Sequence, residues 1–298
     1  MTQASKAQID RLGERLREGA VSENDLRELD AYRESFAEAY DEVIAKIRSA
    51  TGFEPTGRPR KTPFSILDKL RREKTMKLSQ MQDIAGCRVV VASIPKQDRF
   101  VEDLAHEFAK ARVVDRRQRP SHGYRAVHVI VRVLDKAVEI QVRTELQNLW
   151  AQLSEVMSDV FDPTIKYGGG DANFQRALLL TSGYIANLEE WEKTLGHMDP
   201  GLVKRLHSDI VVGQNEVTPA RMQEILKRHL SGKELQEVAL DRLSRTMAEQ
   251  LRRDISSERS LRRRFQNDVR ESADKKAWLL EYMKSLIERF AALPRKVN

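Results

Sequence analysis

Three short stretches hold side chains that could do chemistry together. "SHGYRAVH" (Ser121–His128) sets a ring, Tyr124, a cation, Arg125, and an imidazole, His128, at the mouth of an apolar strand. "VEIQVRT" (Val138–Thr144) alternates, so Glu139, Gln141 and Arg143 share one face while Val138, Ile140 and Val142 point into a core. "MQDIAGCRVVV" places Asp83 just ahead of a third apolar run, with Gly86 allowing close backbone approach and Arg88 just inside. Two carboxylates from neighbouring strands can share a hard cation, and magnesium commonly takes one or two carboxylates plus substrate phosphates. Cations surround the pair: Arg58, Arg60, Lys61, Lys69, Arg71, Arg72, Arg116, Arg117, Arg119, Arg125 and Arg143. Arginine grips phosphate with a planar fork, lysine as a point charge. Phosphoryl transfer asks for little beyond positioned phosphates, charge neutralisation, a metal and an oriented hydroxyl. Tyr124 offers a flat face on which a base can stack. Each piece also has a purely structural reading: alternation marks a solvated sheet face, and a carboxylate before a strand can be a turn residue.

The elements that must position these groups are legible from periodicity. Residues 2–50 read as two helices, the second restarted by a capping box from Ser22 to Asp25. "TGFEPTGRPRKTP" breaks the pattern with Gly and Pro, and a short helix over Phe64–Lys74 follows. Cys87–Ser93 reads as a strand buried on both faces, Phe100–Lys110 as a helix and Ala111–Asp115 as a second strand. Two more strands, "RAVHVIVRV" and "AVEIQVRT", are joined at "LDK" in a hairpin. Thr144 caps a helix whose Leu146, Leu149, Trp150 and Leu153 share one face. Beyond "FDPTIKYGGGD" the pattern is helical, punctuated by Pro200, Pro219 and Gly232, with Thr218-Pro219 as a helix start. The expected layout is N-terminal helices (1–50), an α/β (α+β) core with a mixed β-sheet (51–165), and a long all-helical C-terminal extension (166–298).

Composition narrows the class. The chain has 298 residues, 40% hydrophobic and 33% charged, and no apolar run reaches the ~20 residues of a membrane span. One cysteine, Cys87, excludes an internal disulfide framework and fits a cytoplasmic setting. The net charge is +7, and from Glu249 to Asn298 thirteen Lys or Arg face eight Asp or Glu. Such a balance favours polyanionic partners, nucleotides or RNA, although interleaved acids also describe a solvated helix face.

Four blocks, "RKTPFSILDKLRR", "MQDIAGCRVVV", "SHGYRAVH" and "VEIQVRTELQNLWAQLSE", resemble in order and spacing the synthetase domain of the RelA/SpoT-homologue alarmone synthetases. The resemblance covers about residues 55–160. It implies a nucleotidyltransferase-like mixed sheet flanked by helices, and transfer of the pyrophosphate of ATP to the ribose 3′-hydroxyl of GDP or GTP. It implies magnesium held by Asp83 and Glu139, with Glu139 also activating the attacking hydroxyl. It places Lys61, Ser65 and Lys69 on the ATP phosphates and Tyr124 against the acceptor base. Arg125, His128, Gln141 and Arg143 fall around the acceptor and its phosphates. "GRPRK" departs from the family's Arg-x-Lys, setting Pro59 at the arginine position with Arg58 and Arg60 on either side as adenine contacts. The sequence has no His-Asp dipeptide, the mark of the family's hydrolase domain, so a small, single-function bacterial synthetase is expected.

Two alternatives stay open. Some small relatives pyrophosphorylate the 3′ end of tRNA as toxins, and the basic loop Arg116–Arg119 would suit such an acceptor. A non-catalytic nucleotide-sensing module would keep the fold without turnover. Small members of the family often assemble, so a homo-oligomer is compatible. His106-Glu107 lacks a second ligand four residues on, where Lys110 stands, and reads as a helix surface. Trp150 and Trp191 read as core, and "KYGGGD" as a hinge rather than a phosphate cradle.

Overall fold

The structure is a computed structural model that describes residues 4–19, 21–196, 220 and 258–293. Thr218-Pro219, Pro200, Gly232 and the two ends of the basic tail, 249–257 and 294–298, lie outside the described residues. The chain forms two compact units, Met1–Ala151 with Lys166–Gly169, and Gln152–Ile165 with Gly170–Asn298.

The first unit opens with three helices, where the sequence pattern suggested two: α1 (Lys6–Glu18), α2 (Glu23–Glu34) and α3 (Ala37–Thr51). The α2 stripe runs on into α3, but Ser35 and Phe36 fall between them, and Ser35 closes α2 through backbone bonds to Ala31 and Arg33. The predicted Ser22–Asp25 capping box starts α2. A three-residue strand, β1 (Thr56–Arg58), lies inside the stretch read as a break; all three residues are exposed, so no alternation announced it. Then come α4 (Pro63–Arg72), β2 (Ala85–Val91), α5 (Ile94–Glu107), β3 (Arg112–Asp115), β4 (Val127–Val133), β5 (Lys136–Thr144) and α6 (Glu145–Val160). Thr62, Pro63 and Ser65 give α4 a standard N-terminus, the Thr62 hydroxyl accepting from the Ser65 amide. The predicted hairpin between β4 and β5 turns at Leu134 and Asp135, both with positive φ (48° and 60°), the conformation of a tight two-residue turn.

The five strands form one mixed sheet in the order β1-β2-β5-β4-β3, with β2 and β5 parallel and every other pair antiparallel. Its two faces differ. Cys87 and Val89 of β2, Val129 and Val131 of β4, and Val138, Ile140 and Val142 of β5 are buried in a core that also takes side chains of α3 and α5. On the opposite face register aligns Gly86 with Glu139, Arg88 with Gln141, and Gln141 with His128. The expectation of β2 buried on both faces is therefore corrected: Arg88 and Val90 are only half-buried, because that face carries polar side chains. Cys87 belongs to the core, and burial pushes its thiol pKa up to about 12, as for an inert packing residue.

The second unit contains α7 (Ala172–Gly196) and α8 (Glu258–Ala291), both long helices as the periodicity predicted. Leu178, Ile185, Leu188, Leu279 and Met283 are buried, and Lys276 pairs with Glu192. No helix among the described residues is long and apolar enough to cross a membrane.

Candidate active site

Asp83 stands two residues ahead of β2, and its backbone is tied down from two directions. Arg58 donates to its carbonyl oxygen at 3.1 Å, and the Lys61 amide donates to the Ile84 carbonyl at 2.7 Å. Its carboxylate is gripped by two ammonium groups, Lys61 on Oδ2 and Lys69 on Oδ1 at 2.9 Å. Lys61 is itself fixed, its carbonyl accepting from Arg33 Nε at 2.6 Å. Lys69 projects from the last turn of α4, so helix and strand meet at this carboxylate. Burial pushes the Asp83 pKa up, but the two lysines more than cancel that, leaving it at about 2. Burial also depresses the Lys61 pKa, against the raising effect of Asp83.

Glu139 is held quite differently. Its Oε1 accepts from His128 Nδ1 at 2.8 Å and its Oε2 from Gln141 Nε2 at 2.8 Å. Gln141 Oε1 accepts from Arg143 Nη2 at 2.8 Å, which also donates to the Tyr124 hydroxyl at 2.9 Å. That hydroxyl lies 2.8 Å from His128 Nε2, closing a ring of five side chains. An ionised carboxylate only accepts, so Nδ1 carries a proton; with a neutral imidazole the tyrosine hydroxyl then donates to Nε2. The alternation seen in "VEIQVRT" supplies Glu139, Gln141 and Arg143, and β4 adds His128 across the register. Burial pushes the Glu139 pKa up; the hydrogen bonds from His128 and Gln141 pull it below its ordinary value. The Tyr124 pKa rises through burial, opposed by Arg143 and Arg88.

The two carboxylates are brought close by strand pairing. The Asp83 charge is felt at Glu139, where it acts to raise the pKa. Gly86 makes the approach possible: a Cβ there would sit 2.7 Å from the Glu139 carbonyl oxygen, a backbone atom that cannot move aside. Both carboxylates sit below their ordinary pKa values, and a pair of carboxylates suits a hard divalent ion, so the donor set fits magnesium. Among the described residues there is no cluster of three or more His, Cys, Asp or Glu for an all-protein metal cage.

The remaining predicted residues fall into two groups. Ser65 lies at the start of α4, its hydroxyl accepting from Thr62 at 2.8 Å. Arg58 reaches Asp83, whereas Arg60 is exposed and ion-paired with Glu34. Arg125 donates to the Arg117 carbonyl. Arg117 turns away from the carboxylates to Asp98 and Asp115, both at 2.6 Å. Trp150 is buried, its ring tilted 6.5 Å from that of Tyr124. Arg88 was not assigned a role from sequence, yet register puts it on the site face beside Gln141; the signal was its even spacing from Gly86.

Residues 57–158 match the family model described as "Region found in RelA / SpoT proteins". Uncharacterized proteins of Mycobacterium tuberculosis (Rv1366) and Mycobacterium bovis (Mb1401) are each 37% identical over 134 residues, 44% of this chain. The chain spans about half the length of these curated relatives. The small alarmone synthetase 1 from Bacillus subtilis, solved bound to its product pppGpp, superposes with a TM-score of 0.44 at 24% identity, covering 55% of this chain and 93% of that one. The protein smu.1046c from Streptococcus mutans superposes at 0.43 with 27% identity, over 54% of this chain and 91% of its own. The resemblance carried by the four sequence blocks is thus borne out by the family match, which falls on the same stretch, residues 57–158.

Proposed function

We propose that this chain transfers the pyrophosphate of ATP to the 3′-hydroxyl of GDP or GTP, forming an alarmone of the (p)ppGpp type. The observation that carries the reading is the pair of ionised carboxylates, Asp83 just ahead of β2 and Glu139 on its partner β5, one gripped by two lysines and the other by an imidazole and an amide. In the free protein Lys61 and Lys69 neutralise Asp83. A bound triphosphate offers the same ammonium groups a denser charge, so both lysines turn to its phosphates as ATP enters, with Ser65 and Arg58 alongside. That turn frees the Asp83 oxygens. Asp83 and Glu139 would then hold magnesium, which supplies charge neutralisation on the triphosphate.

The acceptor side needs less rearrangement. Tyr124 meets the base on the ring face away from Arg143, whose guanidinium lies 5.1 Å from the ring centroid. Arg125 and Arg143 meet its phosphates. Each Glu139 oxygen keeps an accepting lone pair beyond the bond it already receives, so the carboxylate can take the 3′-hydroxyl proton as the oxygen attacks the β-phosphorus of ATP. AMP leaves with the α–β bridging oxygen. Positioning plus one base is the expected division of labour for phosphoryl transfer.

Incubation with ATP labelled at the β-phosphate, with GDP, GTP or deacylated tRNA in parallel, tests this directly. Label on the guanosine nucleotide is the expected result. Label on tRNA alone would assign the toxin-type acceptor, and tight nucleotide binding without transfer to any acceptor would favour a sensing module. The tRNA reading leaned on Arg116–Arg119, and Arg117 of that loop is already committed to Asp98 and Asp115.

A further inference from the structure

The loop between β3 and β4, residues 116–126, carries Tyr124 and Arg125, and a polar network outside the site, running from the surface at Asp115 inward to the buried Gln97 and Gln147, fastens it. Arg117 is the loop's anchor. Its Nη1 donates to Asp98 Oδ1 at 2.6 Å and to Gln97 Oε1 at 3.1 Å, while its Nε and Nη2 hold the Asp115 carboxylate. Gln97, on the first turn of α5, is wholly buried. Its amide nitrogen donates to the Val142 carbonyl at 2.8 Å and to Gln147 Oε1 at 2.9 Å. The Thr144 amide also donates to Gln147 Oε1, at 3.3 Å. The network therefore joins the acceptor loop to β5 on either side of Arg143, the residue whose guanidinium holds the Tyr124 hydroxyl. The Arg117 carbonyl in turn receives Arg125. The loop is thus fixed at its tip by the Glu139 ring and at its base by this second set of bonds.

We propose that Arg117 and Gln97 are positioning residues for the acceptor, setting where Tyr124 and Arg125 stand relative to Glu139 without touching substrate. A buried glutamine is costly unless every polar atom is bonded, and here both ends of the amide are engaged by the loop and the strand it must align with. Such a placement is more than cohesion: core glue would need no link to the strand that carries Arg143. The inference rests on the reading that Tyr124 meets the acceptor. Nothing in the network reaches Lys61, Lys69 or Asp83, so it predicts a one-sided kinetic defect.

Initial rates of Arg117→Met, measured against GTP at saturating ATP and against ATP at saturating GTP, test it. The KM for GTP should rise about tenfold, as expected for loss of a charge-assisted hydrogen bond, with the KM for ATP less than about twofold changed. Asp98→Asn, a milder change on the helix surface, should move the GTP KM in the same direction by about threefold and serves if Arg117→Met does not fold. Equal rises in both KM values, or a lowered melting temperature with both KM values unchanged, would overturn the assignment. Failure of the underlying reading looks different, because the wild-type chain itself would then transfer nothing to GTP.

Discussion

Asp83 stands just ahead of β2 and Glu139 within β5, the strand that pairs with it, yet their surroundings have opposite character. Asp83 is neutralised by full charges on flexible four-carbon stems, from residues 22 and 14 positions upstream. Glu139 is held by an imidazole and an amide that are cross-strand and same-face neighbours, in a ring closed through Arg143 and Tyr124. Lysine ammonium groups exchange one anion for another at little geometric cost, whereas a closed ring of mutually hydrogen-bonded side chains is pre-organised. On the proposed reaction, the contrast predicts that the donor half of the site rearranges as a triphosphate enters and that the acceptor half does not.

The largest effect should come from Glu139→Gln. It removes the proton acceptor and sets an amide nitrogen against either His128 or Gln141, and transfer should fall by about 10²–10⁴-fold while the circular dichroism spectrum is unchanged. Activity near wild type would break the comparison at its acceptor half. Lys69→Met sharpens the donor half, because two binding constants should move in opposite directions. Binding of α,β-methylene-ATP, followed by calorimetry, should weaken by about 10–100-fold, while free Mn²⁺ should bind Asp83 more tightly once one competing cation is gone. Weakening of both would mean that the lysines never compete with metal.

Acid stability separates the two carboxylates again. The Asp83 pKa is about 2 in the folded chain against an ordinary 3.8, so its contribution is present above the unfolded value and is lost as pH falls through the folded one. Between about pH 4 and pH 2 the wild type should lose about 2 kcal/mol that Asp83→Asn does not lose, read from urea midpoints of the two proteins. The smallest effect belongs to Tyr124→Phe, which keeps the ring for stacking but opens the Glu139 circuit. A rise of only a few-fold in the acceptor KM is expected, the value of one neutral hydrogen bond.

Much of this arrangement was legible in the sequence because strand alternation is a strict period of two. The alternation of Val138–Thr144 assigned Glu139, Gln141 and Arg143 to one face, and the structure keeps them there. The Ser22 capping box and the turn at Leu134-Asp135 were equally local. Register was not legible: nothing in the apolar run after Asp83 says that Gly86 lies opposite Glu139, the pairing that brings the two carboxylates near. β1 escaped because an exposed three-residue edge strand has no buried face to pattern. The fates of the arginines were hidden for the same reason. Arg60 meets Glu34 and Arg117 meets Asp98 across distances in the chain that charge counting cannot bridge.

The most direct measurement is Mn²⁺ binding followed by electron paramagnetic resonance, with and without α,β-methylene-ATP, in the wild type, Asp83→Asn and Glu139→Gln. One ion per chain, bound tightly only with the nucleotide and lost in both variants, is the result expected if the two carboxylates embrace a single metal over the triphosphate. Undiminished binding in either variant would contradict it.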